Sequence, residues 1–287
     1  MHKPIQFLLF ILFTMLQFGV QSQNIEPNMR FYAYLVNENY LQQASQLEEI
    51  WLQKQENILN TDSFAWYKAQ YFVKQKFADS AAVYFSKIQN NSVFYSKSRF
   101  EAVFYYSINS HFEQAELLLS NYTPTNKTEI ELRNFQLASV SLLKRNFNAY
   151  ETVLKQADTS YYHTHSSYQK LNFLKTEMLL YQNKSPLAAA TFSSIIPGSG
   201  KFYAGKKGEA VSVFISVLAL GAVFYENANK FGITHFRSIA TGSIFGIFYL
   251  GNIAGSYHSV NRSKKDFYEK MDKNILYHIQ HSYSSAF

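Results

Sequence analysis

Pro197-Gly198-Ser199-Gly200-Lys201-Phe202-Tyr203-Ala204-Gly205 leads into two glycine-punctuated apolar stretches, residues 210–225 and 239–257, and neither contains a charged side chain. A charge at bilayer depth is costly, so its exclusion from both predicts membrane segments. Proline pushes the residue before it out of the α region, and glycine reaches backbone angles that other residues avoid. The run therefore reads as a tight turn into a helical hairpin. Upstream, Ser185 as N-cap and Pro186 at the first helical position start a short apolar helix that Pro197 ends. Lys201 and Tyr203 are expected to place their polar ends at headgroup level.

The second stretch carries Gly242 and Gly246, then Gly251 and Gly255, each pair four residues apart. That spacing lets two helix backbones approach closely in lipid. The expected partner is the first stretch, through Ala210, Ser212, Ser216 and Gly221, with self-association as the alternative. Asn252 must then hydrogen-bond across the contact, because an unpaired amide in apolar surroundings is costly. Beyond the hairpin, Phe267, Met271, Ile275 and Ile279 fall on one helical face. The tail is expected to be an amphipathic helix that lies on the membrane or packs back on the preceding helices.

His2 and Lys3 precede an apolar core, residues 7–20, and Val20-Gln21-Ser22 offers small residues at a signal-peptidase spacing. The domain reading is a signal peptide at 1–22, a helical array at 23–184, a two-helix membrane domain at 185–257 and a basic amphipathic tail at 258–287. There is no cysteine, which excludes disulfides, thiolate metal sites and cysteine nucleophiles. Residues 23–184 hold 16 basic against 15 acidic side chains, whereas residues 185–287 hold 10 against 5. The basic excess thus sits beside the apolar stretches, where it favours anionic headgroups. A near-neutral array argues against nucleic acid as a partner.

The array shows internal similarity when aligned on Tyr40, Phe77, Phe112 and Phe147, which recur 37, 35 and 35 residues apart. A small or polar residue follows three positions on (Gln43, Ser80, Ala115, Tyr150), and apolar Val36, Val73, Ile108 and Leu143 stand four before. A period near 34 marks a helix-turn-helix solenoid, whose units bury their apolar faces only by stacking. His111-Phe112-Glu113-Gln114-Ala115-Glu116-Leu117-Leu118-Leu119 and Asn146-Phe147-Asn148-Ala149-Tyr150-Glu151 resemble tetratricopeptide repeats. The resemblance implies a surface that binds a protein or peptide partner. The fold expected is all-α: a tetratricopeptide-like helical array, a transmembrane hairpin and a C-terminal amphipathic helix.

Pro197, Gly198, Gly200, Tyr203, Gly205 and, after a short basic spacer, Gly208 resemble the bacterial two-transmembrane-helix family with a Pro-Gly-x-Gly-x-x-Tyr-x-Gly signature. That resemblance implies architecture and no established chemistry. Two nucleotide readings of the same glycines fail. A P-loop needs glycine and Ser or Thr where Ile195 and Phe202 stand, and a dinucleotide fingerprint needs a third glycine where Tyr203 stands.

No catalytic, cofactor or metal signature is found. His163 with His165, and His278 with His281, lack a third ligand and read as surface histidines. The favoured reading is a non-enzymatic bacterial envelope protein at the inner membrane, its repeats facing the periplasm and binding another protein. The alternative is a membrane component that handles a lipid or small solute through the hairpin. Topology is contested within the chain. Lys201, Lys206 and Lys207 on one flank and Arg262, Lys264 and Lys265 on the other would place both flanks in the cytoplasm, whereas the export signal places the array outside.

Overall fold

A computed structural model describes residues 27–284 and Ala286; the expected signal segment and Phe287 lie outside those residues. Among the described residues all regular structure is helical. The chain divides into two compact units, with the boundary between Val140 and Ser141. The first contains α1 (Pro27–Asn37), α2 (Leu41–Gln53), a 3-10 turn (Asn57–Asn60), α3 (Asp62–Lys74), α4 (Ala78–Ser86), α5 (Tyr95–Ile108), α6 (Phe112–Ser120) and most of α7 (Lys127–Leu143). The second contains the end of α7, then α8 (Phe147–Leu154), α9 (His165–Gln182), α10 (Pro186–Ile195), α11 (Ser199–Tyr203), α12 (Lys207–Phe231) and α13 (Phe236–Ser284). Helices α8 and α9 therefore share a unit with the apolar stretches, although the sequence groups them with the helix pairs before them.

One backbone device recurs between consecutive helices. Asn39, Lys76, Ser110 and Arg145 all have positive φ, between 61° and 66°. Each donates its N–H to the carbonyl three residues back, and the following residue donates to the carbonyl five back. This is a Schellman turn, which satisfies carbonyls left open at a helix end. The residue after the turn starts the next helix: Tyr40, Phe77, His111 and Asn146. Four positions further on, Ala44, Ala81, Ala115 and Tyr150 are fully buried. The aromatic anchors Tyr40 and Phe77 thus coincide with the helix start, whereas Phe112 and Phe147 lie one residue inside the helix, so the position expected three after the anchor is buried at Ala115 and Tyr150 but falls one short of the buried alanine at Gln43 and Ser80. The slip has a cause: the sequence alignment follows an aromatic ring, whereas the repeat is fixed by a backbone turn that places no demand on that side chain. Accordingly Gln43 is exposed and Ala44 is the close-contact position, while buried Ser107 takes the place expected for exposed Ile108.

In the first unit Tyr32, Trp51 and Phe64 form one aromatic core with ring centroids 5.5–6.3 Å apart. Trp66, Phe85 and Phe94 extend a second. Glu48 is buried between these helices, accepts the Tyr32 hydroxyl and pairs with Lys68 at 2.5 Å. Burial and then the Glu48 charge push the Tyr32 phenol well above its ordinary range. Tyr105 stacks on Phe85 with centroids 5.9 Å apart.

In the second unit the expected tail helix is not separate. It continues the second apolar stretch as the 49-residue α13. The physical reason is local: after Gly255 the sequence has neither glycine nor proline to break the helix. Its apolar face packs back as one of the two expected arrangements required. Met271, Ile275 and Ile279 are buried, and Phe267 stacks on Tyr181 of α9 at 4.0 Å. Lys264 donates to the Gln182 carbonyl (2.9 Å), and Arg145 reaches from the α7–α8 turn to Asp272 (2.8 Å).

Candidate functional site: the seam around the glycine turn

Ser185 caps α10, its hydroxyl accepting from the Ala188 N–H at 3.3 Å, with Pro186 in the first turn. The α10 helix then lies against α13, where Ala189 and Ser193 face Asn252, Ser256 and Val260, all buried. Such small side chains let the two backbones approach closely. At Pro197 the chain turns, and Gly198 enters the left-handed region at φ 84°. Its N–H donates to Asn252 Oδ1 (3.0 Å), while Asn252 Nδ2 donates to the Ser193 carbonyl (3.1 Å). The Gly200 N–H donates to Ser193 Oγ (2.9 Å), and the Ser193 and Ser256 hydroxyls share a hydrogen bond of 2.7 Å. Tyr203 OH accepts from the Ser185 N–H (3.0 Å), tying the motif tyrosine back to the start of α10. The group is a closed polar seam that joins the turn to α13.

The motif glycines are not equivalent. A Cβ on Gly198 would stand 2.3 Å from the Ala210 carbonyl oxygen, and one on Gly200 would stand 2.0 Å from that of Ala189. Both are required for close backbone approach. Gly205 supplies a positive φ of 87° in open space, and ends α11 with the same Schellman bonds as the earlier turns. Gly208 has neither constraint. Lys201, expected at headgroup level, pairs with Glu209 at 3.3 Å, and the Tyr203 hydroxyl is used internally.

The α12 and α13 helices are joined by residues 232–235 and pack antiparallel: Gly221 meets Phe245, and Gly242 meets Phe224. Asn252 does pair, but with the turn rather than with the first stretch. Gly246 and Gly251 have open space where a Cβ would lie, and Gly255 faces the stem of Lys201, so close backbone contact at the glycine pairs is not what joins these helices. The ring of Phe224 or Phe245 fills the gap instead. The sequence missed Ser193 and Ser256. Their signal was present, since Asn252, Ser256, Ser259 and Ser263 form a small polar stripe at helical spacing, all buried. Both helices are long and apolar enough to cross a membrane, and only 11% of the most apolar 18-residue stretch in each is buried. A helix at the centre of a soluble core would be covered by its own protein.

Comparison with known proteins returns no matching family model, no matching curated protein and no matching solved structure.

The first unit offers a cleft of about 410 Å³, lined by Glu48, Thr61, Asp62, Tyr84, Lys87 and Gln89 among others. Lys87 is exposed at its edge, with its ammonium 4.4 Å from the Tyr84 ring centroid. Of the two histidines read as a surface pair, His163 lies in a turn and His165 is the first residue of α9, with Thr164 buried between them. His165 contacts the Thr159 carbonyl at 2.8 Å.

Proposed function

We propose that this chain is a non-enzymatic bacterial envelope protein in which α12 and α13 form a membrane hairpin carrying a tetratricopeptide-like array. The array binds a protein or peptide partner on the periplasmic side of the inner membrane. The observation that carries the reading is the pair of antiparallel helices whose apolar faces the rest of the unit leaves uncovered. At about 37 Å for 25 residues, α12 matches a hydrocarbon core of about 30 Å. The polar seam supports anchorage: its donors and acceptors bond one another and tie the turn to α13. The mixed-charge cleft of the first unit is the surface offered to a partner.

Proximity crosslinking followed by affinity purification from native membranes tests this, using the full chain and its Lys87→Glu variant. The expected result is a protein enriched by the wild type and depleted with the variant. Equal recovery with both, or no protein above an unrelated membrane-protein control, contradicts the reading.

A further inference from the structure

Between α12 and α13 runs an apolar groove of about 340 Å³, walled by Val213, Val217, Ile247 and Phe248, with Gly251 leaving its floor open. Lys201 closes one end. Its stem lies beside Gly255, its side chain is only 17% exposed, and its ammonium is held 3.3 Å from Glu209. Lys206 reaches the other oxygen of that carboxylate at 3.5 Å. Two ammonium groups therefore share one carboxylate, and Lys207 adds a further positive charge beside Phe202. An apolar channel that ends in excess positive charge has the two-part chemistry of a diacyl phospholipid with an anionic head. We propose that this groove holds one acyl chain of an anionic phospholipid whose phosphate sits against Lys201 and Lys206.

A zwitterionic lipid fits the channel equally well but gains less at its mouth, because its own cation opposes the lysines. Near an anionic surface each lysine contributes on the order of fivefold in affinity. Phosphate alone would lack the apolar half of the site. The inference rests on the hairpin lying in a bilayer, as proposed above.

The test is native mass spectrometry of the full chain released from vesicles of equimolar phosphatidylglycerol and phosphatidylcholine with identical acyl chains. Flotation with pure phosphatidylcholine vesicles runs in parallel. The wild type is expected to float and to retain phosphatidylglycerol in several-fold excess. Lys201→Gln/Lys206→Gln should retain both lipids about equally. Gly251→Leu, which fills open space, should lose retained lipid of either kind while keeping its helical circular dichroism. Flotation without headgroup preference in the wild type overturns the lipid site and leaves the hairpin standing. Failure to float overturns both. An undiminished preference in the double variant, or full retention in Gly251→Leu, also overturns the site.

Discussion

Removing the Asn252 carboxamide would leave the Gly198 N–H and the Ser193 carbonyl buried without partners. Asn252→Leu is therefore expected to cost about 2–4 kcal/mol, since each unsatisfied buried group costs about 1–3 kcal/mol. The measurement is a lowered melting temperature of the full chain in detergent. The glycines of the turn give a sharper contrast. Gly200→Ala forces a Cβ into the Ala189 carbonyl and is expected to disrupt the turn, whereas Gly208→Ala meets nothing and is expected to be neutral or slightly stabilising. Equal effects of the two substitutions in the same melting assay would contradict this division. At this scale the sequence named the right segment but could not rank its residues. The four motif glycines look alike as letters. Which of them a Cβ would break depends on backbone brought in from Ala189 and Ala210, remote in local reading and adjacent only in the fold.

Helix starts were legible where their punctuation is local, as at Ser185 and Pro186 for α10, whereas the lack of any breaker after Gly255, which makes the tail a continuation of α13, was read past. The repeat register was only half legible, since a Schellman turn can be closed by asparagine, lysine, serine or arginine and leaves no fixed letter. That variety is also a prediction. Ser110 holds a left-handed conformation that costs a residue with a Cβ about 1 kcal/mol or more. Ser110→Gly is expected to stabilise the protein by up to about 1 kcal/mol, read as a higher melting temperature; a fall would mean that its side chain holds the turn. A second test concerns how α13 packs on its unit. Burial, then the charges of His281 and Lys170, depress the His278 imidazole below its ordinary range, and its Nδ1 is buried without a hydrogen-bond partner. Above about pH 6.5 the ring is neutral in folded and unfolded chains alike, and its contribution is constant. As pH falls below that value the unfolded chain takes up the proton first, so stability is lost down to the lowered folded value. The melting temperature should drop between pH 7.5 and 5.5, and less so in His278→Leu. Identical profiles would show that His278 does not set the dependence.

For the whole molecule, composition misleads where its distribution does not. Five of the seven net positive charges belong to residues 185–287, beside the apolar stretches, and the proposed hairpin would give that excess a bilayer to meet. If α12 and α13 cross a bilayer as proposed, their antiparallel pairing, with the turn of α10 and α11 locked onto α13, requires both flanks of the hairpin to lie on one side of it. The chain has no cysteine, so single introduced cysteines report topology without background. Thr234→Cys samples the connection between the helices, Gln280→Cys the far end of α13, and Leu218→Cys and Leu250→Cys the outward apolar faces. The decisive measurement is labelling of these four variants with a membrane-impermeant maleimide in sided membrane vesicles. The hairpin predicts that Thr234→Cys and Gln280→Cys react from opposite sides and that the two leucine positions react from neither. Labelling of Thr234→Cys and Gln280→Cys from the same side, or of Leu218→Cys and Leu250→Cys as fast as Gln280→Cys, would contradict it.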